Sequence, residues 1–126
     1  MRGIKFRAWH KEQKRYLPVD ILDFVGEVIY VYEFGDEGYH NNVLYNFSSV
    51  IIEQYTGLED KNGVEIYYGD RLSMTDEVGK NGVVTVGFES GGFIVFAGFA
   101  WRYIGTYDEL KNNIEVIGNI HDGENK

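Results

Sequence analysis

The stretch Gln54-Tyr-Thr-Gly-Leu-Glu-Asp-Lys-Asn-Gly-Val-Glu-Ile-Tyr-Tyr-Gly-Asp70 sets two turn signals between strand-forming residues. Asp60-Lys-Asn-Gly63 lies between apolar runs, and Asn-Gly in that setting is a strong short-range hairpin signal because both residues tolerate positive φ. Gly69-Asp70 turns the chain again. Gly57, Gly63 and Gly69 fall six residues apart, and each is expected to hold a backbone conformation that a side chain would penalise. Asp60 and Asp70 are placed to accept hydrogen bonds from their own turns. On this reading Gly57, Asp60, Asn62, Gly63, Gly69 and Asp70 serve topology.

Working outward, strand candidates follow at short, regular intervals: Val50 to Thr56, Val64 to Tyr68, Arg71 to Thr75, Val83 to Phe88, Phe93 to Phe96 and Ile114 to Ile120. Such spacing from residue 50 onward predicts a mainly β protein built on a small barrel or sandwich. Towards the N-terminus, Ile4, Phe6 and Ala8 alternate with Lys5, Arg7 and Trp9, the pattern of a half-buried strand. His10 to Arg15 is a polar turn, and Tyr16-Leu-Pro-Val19 closes a hairpin. Pro18 cannot donate to a ladder and argues for an edge strand there. Residues 20–47 are the least decided: Val28 to Tyr32 reads as strand, and Phe34 to Asn42 as an acidic loop. Tyr107 to Lys111 has the look of one helical turn.

The chain of 126 residues is one domain in size and carries no cysteine. It therefore has no disulfide framework, thiolate metal site or cysteine nucleophile, and a reducing compartment fits. The N-terminus lacks the apolar segment of a signal peptide, and no apolar run approaches the ~20 residues that cross a bilayer. The expected location is the cytoplasm, with no membrane partner. The net charge is −8, yet residues 1–16 hold Arg2, Lys5, Arg7, Lys11, Lys14 and Arg15 against one acid, Glu12. A solvated face is the default for such a run. The sharper alternatives are docking on an acidic surface of another copy and, third, a nucleic-acid surface, which the acidic remainder disfavours.

The motif of residues 54–70, the closing Ile114-Glu-Val-Ile-Gly-Asn-Ile120 and the opening Ile4-Lys-Phe-Arg-Ala-Trp9 together resemble the YopX family of phage and prophage proteins. The family's usual next residue is aspartate, where this chain has His10. The resemblance implies a phage or prophage origin, a bacterial host cytoplasm and an SH3-like barrel over residues 48–122. Residues 1–47 then form a β-rich N-terminal segment with a hairpin, and 123–126 a frayed tail. It also implies a homo-oligomer or an unidentified phage or host protein partner, and it transfers no catalytic residue.

Sites of chemistry are scarce. A calcium loop aligned on Gly63 puts Leu58 and Gly69 at ligand positions that need carboxylates, so that reading fails. His10, His40 and His121 have no ligand spacing, and Asp36, Glu37 and His40 read as a solvated acidic loop. No nucleophile elbow, phosphate-binding loop or dinucleotide fingerprint occurs. The expectation is a protein without catalytic residues, metal or cofactor. The aromatic side chains are the stronger lead: Tyr55, Tyr67, Tyr68, Phe88, Phe93, Phe96, Phe99, Trp101, Tyr103 and Tyr107 exceed what a small barrel can bury. Tyr67, Tyr68, Phe96, Phe99, Trp101 and Tyr103 are the candidate interface, with core packing as the plainer reading. Adjacent Tyr67 and Tyr68 would point to opposite faces of a strand. A small barrel with aromatics beside a basic groove can also bind nucleic acid, which is the alternative function.

Overall fold

In a computed structural model the chain is mainly β and forms two antiparallel sheets. The structure describes residues 4–35, 38–75, 81–89, 91–97, 100–103 and 113–122. Among the described residues eleven strands follow one another: β1 (Phe6–His10), β2 (Arg15–Asp23), β3 (Val28–Gly35), β4 (Gly38–Asn46), β5 (Val50–Glu59), β6 (Glu65–Tyr67), β7 (Asp70–Thr75), β8 (Asn81–Glu89), β9 (Gly92–Ala97), β10 (Ala100–Tyr103) and β11 (Ile114–Asn119). A 3-10 turn, Phe47–Ser49, joins β4 to β5. The chain divides into two compact units between Gln54 and Tyr55, within β5, whereas the sequence places the division at 47/48.

The N-terminal unit has the strand order β4-β3-β2-β1, with the first half of β5 beside β1. Alternation in β1 sends Ala8 into a core with Leu17, Ile29, Val31 and Val50, closed by Val19, Leu22, Val43, Tyr45, Phe47 and Ile52. This segment is therefore a sheet with its own core, more than the hairpin extension expected. Two local readings change with it. Of Phe34 to Asn42, the described residues 34–35 and 38–42 are strand and not loop, because β3 and β4 pair from Val28↔Asn46 out to Gly35↔Gly38. A ladder fixed by apolar pairs such as Val31↔Val43 and Ile29↔Tyr45 carries its polar continuation along. Strand β2 is not an edge either, since β1 and β3 flank it. Pro18 is accommodated because the β2–β3 pairing begins one residue later, at Val19, beside an irregularity between Val19 and Ile21.

The C-terminal unit holds the sheet β10-β9-β8-β7-β11, and the second half of β5 pairs with β6 through Tyr55↔Tyr67 and Glu59↔Glu65. Its core is Ile66, Leu72, Val86, Val95 and Ile114, flanked by Leu58, Met74, Val84, Phe93 and Val116. Period-two alternation along β8 and β9 produces this: Val84, Val86, Phe93 and Val95 share one face, and Thr85, Gly87, Ile94 and Phe96 the other. Among the described residues the strands do not close into a barrel. The expected helical turn at 107–111 and the tail at 123–126 lie outside the described residues.

Candidate interaction face

The 54–70 motif resolves into a hydrogen-bonded scaffold. Gly57, Gly63 and Gly69 have φ of 87°, 81° and 88°. Gly57 is not in a turn; it sits at the irregularity of β5 between Tyr55 and Glu59. The 60–64 reversal is a three-residue loop, closed by Asp60 N–H to Val64 C=O at 2.8 Å and Gly63 N–H to Asp60 C=O at 3.0 Å. Only Gly63 takes positive φ there, the geometry of a type I turn followed by a bulge, so Asn62 does not need the left-handed region.

The buried Asp60 carboxylate accepts three backbone amides: Asn62 and Val64 on Oδ1 at 2.8 and 2.9 Å, and Val116 on Oδ2 at 2.9 Å. Burial alone would raise its pKa; the amides of Val116, Val64 and Asn62 and the Lys61 charge outweigh that and hold it below the ordinary carboxylate value. Asp70, also buried, accepts the Tyr67 amide on Oδ2 at 2.8 Å. Gly69 donates to Val86 C=O and accepts from Ile120 N–H, which pins the second turn to β8 and to the end of β11.

On the face of the five-stranded sheet opposite the core, the described aromatic candidate is Phe96, beside the buried Ile94. Register aligns Arg71 with Thr85, Thr85 with Phe96, and Phe96 with Trp101. The next row aligns Gly87 with Ile94 and Ile94 with Tyr103. Phe96 is 38% exposed and lies over Gly87, where an added Cβ would stand 3.0 Å from the ring. An arginine, a threonine and two aromatic positions thus form one row across four strands. Trp, Tyr and Arg are the residues that dominate interface hot spots. The sequence reading missed Arg71 in this row and Gly87 in the next. A glycine inside a strand was the available signal, since it marks a close approach.

Tyr67 and Tyr68 lie apart from that row. Tyr67 ends β6, half-buried, its ring 5.4 Å from that of Tyr55. Tyr68 is in the following turn and 38% exposed. The pair is therefore not on one strand, and Tyr68 is the outward member. Phe99 and the side chains of Trp101 and Tyr103 lie outside the described residues.

The basic N-terminal residues separate. Arg7 Nε donates to Glu53 Oε1 at 2.8 Å, and its guanidinium sits 4.1 Å from the Tyr16 ring centre. Tyr16 OH reaches the same oxygen at 2.9 Å, and Trp9 meets the Tyr16 ring edge-on at 5.0 Å. Glu53 is fully buried. Its place in Val50-Ile-Ile-Glu was a signal the sequence reading did not use, since a carboxylate inside an apolar strand needs a partner. Lys11 Nζ donates to Ser48 C=O, and Arg15 Nε to Gln13 Oε1. Lys5, Lys14 and Arg15 are exposed, and Arg2 lies outside the described residues. Among the described residues no three His, Asp or Glu side chains gather to hold a metal ion, and no helix is long and apolar enough to cross a membrane.

Two antiparallel sheets, in a chain of two compact units that each have a core of their own, define the class: a small, mainly β protein. The family described as YopX protein matches residues 5–125, and the chain belongs to that family. Its fold is similar to the crystal structure of protein EF1440 from Enterococcus faecalis, at a TM-score of 0.65 and 24% identity over 98% of this chain and 97% of that one. No match was found among functionally curated proteins.

Proposed function

We propose that the protein is a non-enzymatic interaction and assembly module, encoded by a phage or prophage and acting in the bacterial cytoplasm, that self-associates through the outer face of its C-terminal sheet. The observation that carries this reading is the row Arg71–Thr85–Phe96–Trp101, with Phe96 partly exposed over Gly87. A sheet face with an aromatic anchor and an arginine in one row has the composition of an interface centre. An SH3-like arrangement of residues 48–122 belongs to the same reading, supported by the way the 60–64 turn bonds back to β11.

The nucleic-acid alternative has less support. Arg7, whose guanidinium lies against the Tyr16 ring, is engaged with a buried carboxylate. The remaining cations face a net charge of −8. The test is sedimentation equilibrium of the wild type and of Phe96→Ala and Trp101→Ala. Association that both variants weaken, with unchanged melting, supports the proposal. A wild type that stays monomeric at millimolar concentration overturns it.

A further inference from the structure

We propose that the 60–64 turn is an edge block: it occupies the outward hydrogen-bonding groups of β11 and so prevents a second copy of the chain from adding its own β11 there. Strand β11 closes one side of the five-stranded sheet, with β7 on its inner side. Its outer side is where an unguarded sheet would present a row of amides and carbonyls, a ready template for another strand. The C=O of one strand residue and the N–H two residues on point the same way. In β11 these are Ile114 C=O and Val116 N–H, and both are taken: Lys61 N–H donates to Ile114 C=O at 3.1 Å, and Asp60 Oδ2 accepts from Val116 N–H at 2.9 Å.

The block is rigid because Asp60 is itself held. Its Oδ1 binds two amides of its own turn, which fixes the rotamer and aims Oδ2 at Val116. Lys61 Nζ adds an exposed ion pair to Glu115 at 3.3 Å, a weak tie by its exposure. A second device lies on the same strand, where the β11–β7 register shifts between Val116 and Gly118. Bulges of this kind also spoil an edge as a template. The exposed side chains beside this edge explain why guarding is needed: Ile117 is 51% and Ile120 40% exposed. An edge with apolar side chains is the kind that pairs with its own copy, and antiparallel pairing of identical edges satisfies two-fold symmetry. The inference stands apart from the proposed self-association, which uses the sheet face and not this edge.

Two substitutions open the edge while sparing the turn. Asp60→Asn keeps a carbonyl oxygen for Asn62 and Val64 but turns an amide donor towards the Val116 donor. Lys61→Pro removes the second edge bond at the i+1 position of the Asp60–Gly63 turn, where proline is favoured. Both are made in the Phe96→Ala background, so that association through the sheet face is matched, and read by Val116 amide exchange and sedimentation equilibrium. Exchange at Val116 is expected to quicken about tenfold or more in Asp60→Asn. Concentration-dependent association absent from the parent is expected in each variant, and most in the double variant. Fast exchange at Val116 without added association overturns the proposal, as does unchanged exchange. If Asp60→Asn does not fold, Lys61→Pro alone decides by the same association readout. Loss of folding in both overturns it too, since the contact would then serve folding and not the edge.

Discussion

Asp60 Oδ2 accepts a hydrogen bond of 2.9 Å from the amide of Val116, which joins the turn between β5 and β6 to the last strand of the sheet across 56 positions of sequence. The same carboxylate closes its own turn, so one side chain sets a local reversal and a long-range strand position together. Asp60→Ala strands three amides, one of them on β11. We expect a loss of about 2–4 kcal/mol, read from urea denaturation, because charge-assisted bonds to a buried carboxylate exceed ordinary ones. A loss below ~1 kcal/mol would mean that water replaces the carboxylate at little cost.

The pH dependence has a definite sign. The folded pKa of Asp60 lies below its ordinary value of 3.8, so unfolding takes up a proton in the acid range. The stability linked to Asp60 is complete above 3.8 and is lost as pH falls through the depressed folded value. The wild type should therefore exceed Asp60→Asn in stability at pH 6 by an amount that shrinks below pH 3.8. Paired urea titrations across that range check it, and a gap that widens in acid would contradict the assignment.

Glu53 is buried without exposure and shares one oxygen between Arg7 and Tyr16. Arg7→Ala takes one charged partner from the buried Glu53 carboxylate and is expected to cost about 3–5 kcal/mol. Tyr16→Phe should cost less, about 1–2 kcal/mol. The double variant Arg7→Ala, Glu53→Gln should be more stable than Arg7→Ala alone, since the buried charge that Arg7 faces goes with Glu53. A double-mutant cycle by thermal denaturation measures this coupling.

Gly69 has φ of 88° and is buried, donating to Val86 and accepting from Ile120. Gly69→Ala is expected to destabilise by about 1–2 kcal/mol through the left-handed backbone alone. Gly63→Asn, at φ of 81° in an exposed turn, should cost less, because asparagine tolerates that region. Melting temperatures of the two variants give the comparison.

The sequence told most where a residue type has one conformational use. Gly57, Gly63 and Gly69 all take positive φ, and the Asp60 and Asp70 carboxylates both bind turn amides. The partner of Asp60 across the sheet was not legible, since nothing local marks Val116 as the amide that needs it. The β3–β4 hairpin was hidden for a related reason: polar residues between 34 and 42 follow a register set by apolar pairs further along. Pro18 misled because a proline inside a sheet is tolerated where a ladder begins, a property of the neighbouring strand. The aromatic positions were visible as a composition. Only the register of β7, β8, β9 and β10 shows that Phe96 and Trp101 continue a row with Arg71 and Thr85, while Tyr67 and Tyr68 stand elsewhere.

Gly87→Ala tests the interaction face most directly, because it changes that face without removing any side chain. A Cβ at Gly87 would stand 3.0 Å from the partly exposed Phe96 ring, which must shift to admit it. The measurement is sedimentation equilibrium of wild type and Gly87→Ala over a wide concentration range, with melting curves as the control for folding. An associating wild type is expected, and a variant whose dissociation constant rises about tenfold or more, a loss of about 1.4 kcal/mol in association, while its melting temperature changes little. A monomeric wild type, or equal association in both proteins, would contradict it.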